Sequence, residues 1–305
     1  MTTTQHHQLA ELVGETIEQL GSQGRAAVRL GINSSYVSHI VNGKFAEVSD
    51  AVWRRIATAL SYRKRNWVTV STFNTRAVEQ ALNDAKQRSL MIAISHPAGG
   101  GKTSGAELYA RQHRREQVYL VKCREWRRRQ FLMEVCQILG IQTNKKKATY
   151  DDLIVLVTEF FLDRADHRPL LIIDEADKLL SESLRCLIPL YNETEGELGI
   201  VLLGTENLKR QITNGVQYDK KGYDEIESRI GRHYVELYGA SKKDFQAICN
   251  ANEVTDKATQ NQIWESLKPS EVKVGNAIVK MVKDMRAMKR AVQCAQLDLE
   301  ESRNN

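Results

Sequence analysis

The apolar run Leu90-Met91-Ile92-Ala93-Ile94 leads through Ser95 into His96-Pro97-Ala98-Gly99-Gly100-Gly101-Lys102-Thr103, and residues that favour a helix follow. This order of buried strand, glycine loop and helix start narrows the fold more than any other stretch. It is the context in which a Walker A phosphate loop has physical meaning. Glycines let the backbone turn its amide hydrogens inward around a polyphosphate, and a helix beginning near Lys102 adds the positive end of its dipole. In such a loop Lys102 reaches the outer phosphates and Thr103 gives its hydroxyl to Mg²⁺, with Pro97, Ala98 and Ser104 completing the cradle. The first glycine of G-x-x-x-x-G-K-[ST] is His96 here, so an ordinary glycine-rich turn stays open as the alternative.

A second stretch argues against that alternative. Leu170-Leu171-Ile172-Ile173 is a continuous apolar run, as in a strand buried on both faces, and it ends in Asp174-Glu175-Ala176-Asp177. At the carboxyl end of a parallel strand, Asp174 can hold the water shell of Mg²⁺ while Glu175 orients the attacking water, a Walker B pattern. Gly199-Ile200-Val201-Leu202-Leu203-Gly204-Thr205 reads as a further buried strand, with Thr205 placed to sense a γ-phosphate and Asn207 as second candidate. Downstream, Arg229 and then Arg232 precede a predicted strand His233-Tyr234-Val235-Glu236-Leu237. Either guanidinium can reach the triphosphate of a neighbouring subunit, or form a local salt bridge instead.

At 305 residues the chain is long enough for two or three compact units. Its 42% hydrophobic and 27% charged residues are those of a soluble globular protein. No apolar run approaches the roughly 20 residues that span a bilayer, and the polar amino terminus is no signal peptide, so a cytoplasmic location is expected. The five cysteines, Cys123, Cys136, Cys186, Cys249 and Cys294, lack C-x-x-C spacing and read as reduced thiols. A net charge of +6 raises the odds of a polyanion partner.

Residues 1–8 are polar and expected to be disordered. Helices are predicted over 9–20, 23–30 and from Asn33 or Ser34 to Val41, the last burying Val37, Ile40 and Val41 and turning Ser35, Tyr36, Ser38, His39 and Asn42 outward. With a fourth helix over 49–60, this is what a helix-turn-helix requires, its outward side chains Ser35, Tyr36 and His39 facing a major groove. A bundle that contacts only protein is the alternative. Arg63, Lys64 and Arg65 form a basic linker before a helix over 72–88.

The densest basic cluster is Lys122, Arg124, Arg127, Arg128 and Arg129, set around Trp126 after the predicted strand 118–121. A helix from Trp126 to Leu139 would carry three of these arginines in its first turn, where the macrodipole opposes cations by roughly 0.3–1 kcal/mol each. A docked polyanion explains them, since each neutralised phosphate releases counterions; a solvated basic corner is the other reading. Lys145, Lys146 and Lys147 can extend the surface. Further helices are expected over 103–113, 150–165 and 179–193, and then over 242–252, 257–267 and 271–299 as a separate helical lid.

Taken together, the phosphate loop, Ile172-Ile173-Asp174-Glu175, Gly204-Thr205 and Ser228-Arg229, followed by a lid, resemble an AAA+ ATPase. The amino-terminal helix-turn-helix and the wording of the strands at 171–179 and 199–204 resemble the target-capture ATPases of Mu-like transposition, over about residues 9–290. The resemblance implies an α/β fold: an AAA+ P-loop core with a parallel sheet (63–240), an all-α helix-turn-helix domain (1–62) and a helical lid (241–305). It also implies an ATP- and Mg²⁺-dependent homo-oligomer, a helical filament or ring, that coats double-stranded DNA with low sequence preference and delivers it to a transposase. Such a protein would be phage- or transposon-encoded in a bacterial cell, with no membrane role. Carried over, Lys102 and Thr103 bind ATP and Mg²⁺, Asp174 holds the metal, Glu175 activates water, Thr205 is the first sensor and Arg229 the trans-acting finger. Two departures stand out: His96 in the loop, and no arginine shortly after Gly275-Asn276-Ala277-Ile278 to act as second sensor, where Lys280 is the nearest stand-in. A replicative helicase loader and a nucleotide-switched transcription regulator remain alternatives.

Overall fold

The computed structural model describes residues 3–60, 62, 67–144 and 147–304. Arg63, Lys64, Arg65, Lys145 and Lys146 lie outside the described residues.

Four helices open the chain: α1 (Thr3–Leu20), α2 (Gln23–Leu30), α3 (Ser34–Val41) and α4 (Asp50–Ala59). The polar start is therefore helical from Thr3, six residues before the first apolar position, and His6 stacks on Trp53 with ring centroids 4.7 Å apart. Gly31 takes the left-handed conformation at φ 65° to end α2, and the Asn33 side chain accepts from Ser35 N (3.0 Å) to start α3. Leu9, Val13, Leu30, Val37, Ile40, Trp53 and Ile56 close a shared core. Val41, expected inside, is 50% exposed because α3 ends there and the chain turns at Gly43. The unit docks on the edge of the central sheet, where Gln19 Nε2 donates to Val118 O (2.7 Å).

The central sheet follows from the apolar runs. The elements are α5 (Phe73–Arg88), β1 (Met91–Ser95), α6 (Lys102–Gln112), β2 (Val118–Lys122), α7 (Arg128–Ile138), α8 (Tyr150–Leu162), β3 (Leu170–Asp174), α9 (Ser181–Leu184), α10 (Leu187–Glu193), β4 (Gly199–Gly204), α11 (Glu206–Gln217) and α12 (Tyr223–Arg229). Four parallel strands run in the order β1-β4-β3-β2, and every residue of β3 and β4 is buried. That explains why these strands read as unbroken hydrophobic runs: helices cover both faces. One face packs Phe131, Phe161 and Leu187 against Leu171, Ile173 and Ile200. The other packs Val78, Leu82 and Tyr109 against Ile172 and Leu203.

Two expectations are corrected here. The predicted helix over 179–193 splits into α9 and α10, because Pro189 has no amide to donate to the Arg185 carbonyl. The predicted strand at 233–237 shrinks to one parallel bridge, Ala93 to Tyr234, with Val235 N donating to Ala93 O (3.0 Å). It enters from two left-handed residues, Gly231 and Arg232, and leaves where Tyr238 N and Gly239 N turn to the Asn74 side chain.

The carboxyl-terminal part comprises β5 (Ala240–Ser241), α13 (Lys242–Ala251), α14 (Lys257–Ser266), β6 (Ser270–Val274), β7 (Ala277–Val282) and α15 (Met285–Asn304). The first half of the helix expected over 271–299 is instead a hairpin, and the antiparallel sheet order is β5-β7-β6. The alternation Val272, Val274 against Val279, Met281, around the two-residue loop Gly275-Asn276 with Gly275 at φ 58°, is a strand signal that competes with the helical reading. Phe245, Ile248, Trp264, Val282, Met288 and Val292 form a core of their own. Among the described residues no helix is long and apolar enough to cross a membrane.

Candidate functional site

Parallel strands bring their carboxyl ends to one edge of the sheet, and the candidate residues gather there. The loop from His96 to Gly101 leaves β1, and α6 begins at Lys102 with Gly101 at its amino-terminal cap. Gly99 sits at φ +86°, a conformation that strains any side chain, and a Cβ there would come 2.5 Å from Asp284 Oδ1 and push that side chain aside. The His96 ring explains the departure from the expected pattern. A Cβ on Gly100 would lie 2.2 Å from His96 Cδ2: the imidazole fills space that a side chain at Gly100 would need. Burial, with Lys102 nearby, lowers the His96 pKa to about 4, so the ring is neutral at pH 7.

Lys102 is 8% exposed, and its ammonium donates to His96 O and to Pro97 O (3.0 Å). Burial lowers its pKa, opposed by Asp174 and Asp177. Thr103 Oγ1 and Glu175 N both donate to Asp174 Oδ1, at 3.2 and 3.0 Å. Asp174 is 2% exposed and burial raises its pKa. Its Oδ2 is buried with no hydrogen-bond partner among the described residues. An orphaned carboxylate oxygen beside a threonine hydroxyl fits Mg²⁺, which binds through one or two protein oxygens plus water and substrate phosphates.

The remaining candidates have partners in this state. Glu175 occupies the left-handed region (φ 56°), and its carboxylate pairs with Lys178 Nζ (2.6 Å). Thr205 caps α11; its hydroxyl donates to Asp177 Oδ2 (2.6 Å), while Asn207 is exposed. Arg229 is held by Asn192 Oδ1 (3.0 Å from Nε), Glu225 O and the Glu225 carboxylate (3.3 Å), whereas Arg232 is exposed on the turn after α12. Lys280 is exposed on β7 opposite Glu271.

Three residues at the site escaped the sequence reading. Asn74, fully buried, donates to Gly100 O and accepts from Tyr238 N and Gly239 N, each at 2.9 Å. Asp284 caps α15 and lies against Gly99, while Met285 N donates to Gly99 O (2.9 Å). Arg286, one residue further, is close enough to Lys102 to lower its pKa. No local pattern marks these positions, which lie 26 residues before and about 185 after the loop. A cavity of about 370 Å³ opens beside the loop between Trp67, Val70, Ser104, Met285 and Met288. Lys289 Nζ lies 5.1 Å from the Trp67 ring centroid at this cavity.

The basic cluster lies at the same sheet edge, because Lys122 pairs in register with Asp174. Lys122 is bound to Glu107, Arg128 lies over the Tyr150 ring (4.7 Å), and Arg129 Nε donates to Ala148 O (2.9 Å). Arg124 and Arg127 are exposed; α7 starts after Arg127, so two arginines, not three, occupy its first turn. A cleft of about 510 Å³ runs from there between α1 and α6, with Arg29, Arg114 and Arg124 facing Glu15 and Glu134. On α3, Ser35 is exposed, Tyr36 is half-buried, and His39 pairs with Glu47 (3.0 Å).

Residues 85–212 match the family model described as an AAA domain. No curated protein matches the sequence. Among solved structures the chain is similar to Cdc6p from Pyrobaculum aerophilum, with a TM-score of 0.51 and 13% identity over 73% of this chain and 61% of that one. It is also similar to the ORC2 protein from Aeropyrum pernix in its ADPNP–ADP complexes, with a TM-score of 0.49 and 15% identity over 76% of this chain and 62% of that one. The chain thus spans less than two thirds of either protein's length. The match to an AAA domain covers residues 85–212, which include the glycine loop and Asp174-Glu175, and the expected α/β core with its parallel sheet is the observed one.

Proposed function

We propose that this protein is an ATP-hydrolysing, Mg²⁺-dependent AAA+ ATPase that assembles on double-stranded DNA with little sequence preference and presents it to a transposase. The observation that carries the DNA part is the register of Lys122 with Asp174, which sets the exposed Arg124 and Arg127 at the same sheet edge as the phosphate loop. A polyanion on that corner and a triphosphate on the loop then occupy adjacent positions. The transposase part rests on the resemblance of domain order and strand wording to Mu-like target-capture ATPases.

In this reading the loop amides and Lys102 bind the ATP phosphates, and Thr103 with Asp174 holds Mg²⁺, which neutralises charge on the phosphates when bound. Glu175 leaves Lys178 to orient the attacking water. Thr205 with Asp177 reports on the γ-phosphate. Arg229 is the residue offered to a neighbouring subunit, with the exposed Arg232 as second choice, and Arg286 approaches the phosphates from the lid. Many weak phosphate contacts along a filament give avidity without sequence readout, and hydrolysis limits its lifetime.

Electron microscopy with duplex DNA and a nonhydrolysable ATP analogue tests the assembly. Continuous filaments are expected with the wild-type protein and none with Lys102→Ala. Equal duplex binding with and without nucleotide overturns the proposal. A footprint at one discrete site, lost on changing Ser35 or Tyr36, points to a transcription regulator. Stable capture of a replicative helicase without stimulation of strand transfer points to a helicase loader.

A further inference from the structure

The hairpin that replaces the expected helix completes a recognisable arrangement. Between β5 and β7 the chain runs helix, five-residue turn, helix, strand, hairpin loop, strand, and the strands pair in the order β5-β7-β6. This order matches the helix-turn-helix and wing of a winged helix-turn-helix, with α14 as the second helix and β6–β7 as the wing. From this arrangement we infer that the carboxyl-terminal unit is a second duplex-DNA contact, separate from the basic corner at Arg124 and Arg127. The inference rests on the reading of the protein as an ATP-dependent DNA binder.

The two helices are capped and packed on each other. Ser241 and Asp256 cap them, Glu253 takes the left-handed conformation (φ 64°) in the turn, and Phe245 meets Trp264 at 5.5 Å between ring centroids. With Gln260 and Trp264 buried, α14 turns Lys257, Asn261, Gln262, Glu265 and Ser266 to solvent. These are a cation for phosphate and side chains with the donors and acceptors that meet base edges in a major groove. On the wing, Lys273 faces out beside Ile278, its register partner, which is 71% exposed next to the hairpin loop. An apolar tip flanked by lysine suits a groove lined by phosphates, where such side chains wedge against base steps. Residues 268–283 carry Lys268, Lys273, Lys280 and Lys283 against the single acid Glu271, so the charge of the hairpin complements DNA.

The wing is also joined to the nucleotide site. Only Lys283 and Asp284 separate β7 from α15, and Asp284 and Met285 are the residues that touch Gly99. A loop that closes on phosphates therefore moves the base of the wing, which makes duplex contact there depend on nucleotide.

The double variant Lys257→Ala with Lys273→Ala, in the full-length protein, tests this. Both side chains are exposed and neither touches the phosphate loop. Duplex affinity is measured against salt concentration with a nonhydrolysable ATP analogue, alongside ATP turnover without DNA. Two lost phosphate contacts flatten the slope of log affinity against log salt by about 1.8 and weaken binding at least about tenfold near 0.1 M salt, with basal turnover unchanged. Wild-type slope and affinity in the variant overturn the inference while leaving ATP-dependent DNA binding in place, and so does loss of only a protein partner's stimulation. Absence of duplex binding by the wild-type protein removes both readings.

Discussion

Asn74→Ala is expected to destabilise the core and the nucleotide site together. The side chain is fully buried and makes three hydrogen bonds at 2.9 Å, joining Gly100 O in the glycine loop to Tyr238 N and Gly239 N just before β5. Alanine leaves the Gly100 carbonyl and the Gly239 amide buried and unpaired, each worth about 1–3 kcal/mol, while the half-buried Tyr238 amide regains water at little loss. A central value of about 4 kcal/mol corresponds, for a unit of this size, to a fall in Tm of about 8–16 °C. Calorimetry of the full-length protein measures the shift, and equilibrium binding of an ATP analogue measures the second effect. Asn74→Asp separates the terms: it keeps both bonds from the amides but sets a carboxylate against Gly100 O, so loop binding suffers in both variants. A fall in Tm under about 2 °C in Asn74→Ala, with unchanged nucleotide affinity, refutes the account of Asn74 as the tie between the glycine loop and the carboxyl-terminal part.

Three further outcomes follow from the site. Burial raises the Asp174 pKa above 3.8, so its contribution to stability is present below that pH and lost as pH rises through the folded value. Asp174→Asn should therefore raise Tm at pH 7 without metal, converge with wild type below about pH 3.8 and lose stabilisation by Mg²⁺ with nucleotide; a lower Tm at pH 7 contradicts this. The His96 pKa is depressed from 6.5 to about 4, so wild-type stability falls as pH drops through that window, whereas His96→Gln should show a flatter profile there; parallel profiles would remove the buried neutral imidazole from the argument. Glu175→Gln should keep nucleotide and duplex binding and block turnover, and normal turnover would take Glu175 out of its role.

The parallel sheet was legible because β3 and β4 are buried on both faces and β1 nearly so, and a strand between two helical layers has no polar side to interrupt its apolar run. The glycine turn between β1 and α6 was legible for a related reason: its glycines and Lys102 are consecutive. The hairpin at 270–282 was missed although Gly275-Asn276 marks its turn, since the valines and methionine around it also fit a helical face. His96 looked like a defect until the fold set its ring in the space left by Gly100.

By itself the sequence determined the local units: which runs become strands, where the glycines bend and which carboxylate ends β3. Only the tertiary structure decided what meets at the loop. Asn74, Asp284 and Arg286 reach it from helices remote in the chain, and Thr205, Glu175 and Arg229 are tied to Asp177, Lys178 and Asn192. The physical reason is range. Periodicity and turn chemistry act over a few residues, whereas a buried polar side chain takes its partner from whatever backbone the packing of distant elements brings within about 3 Å.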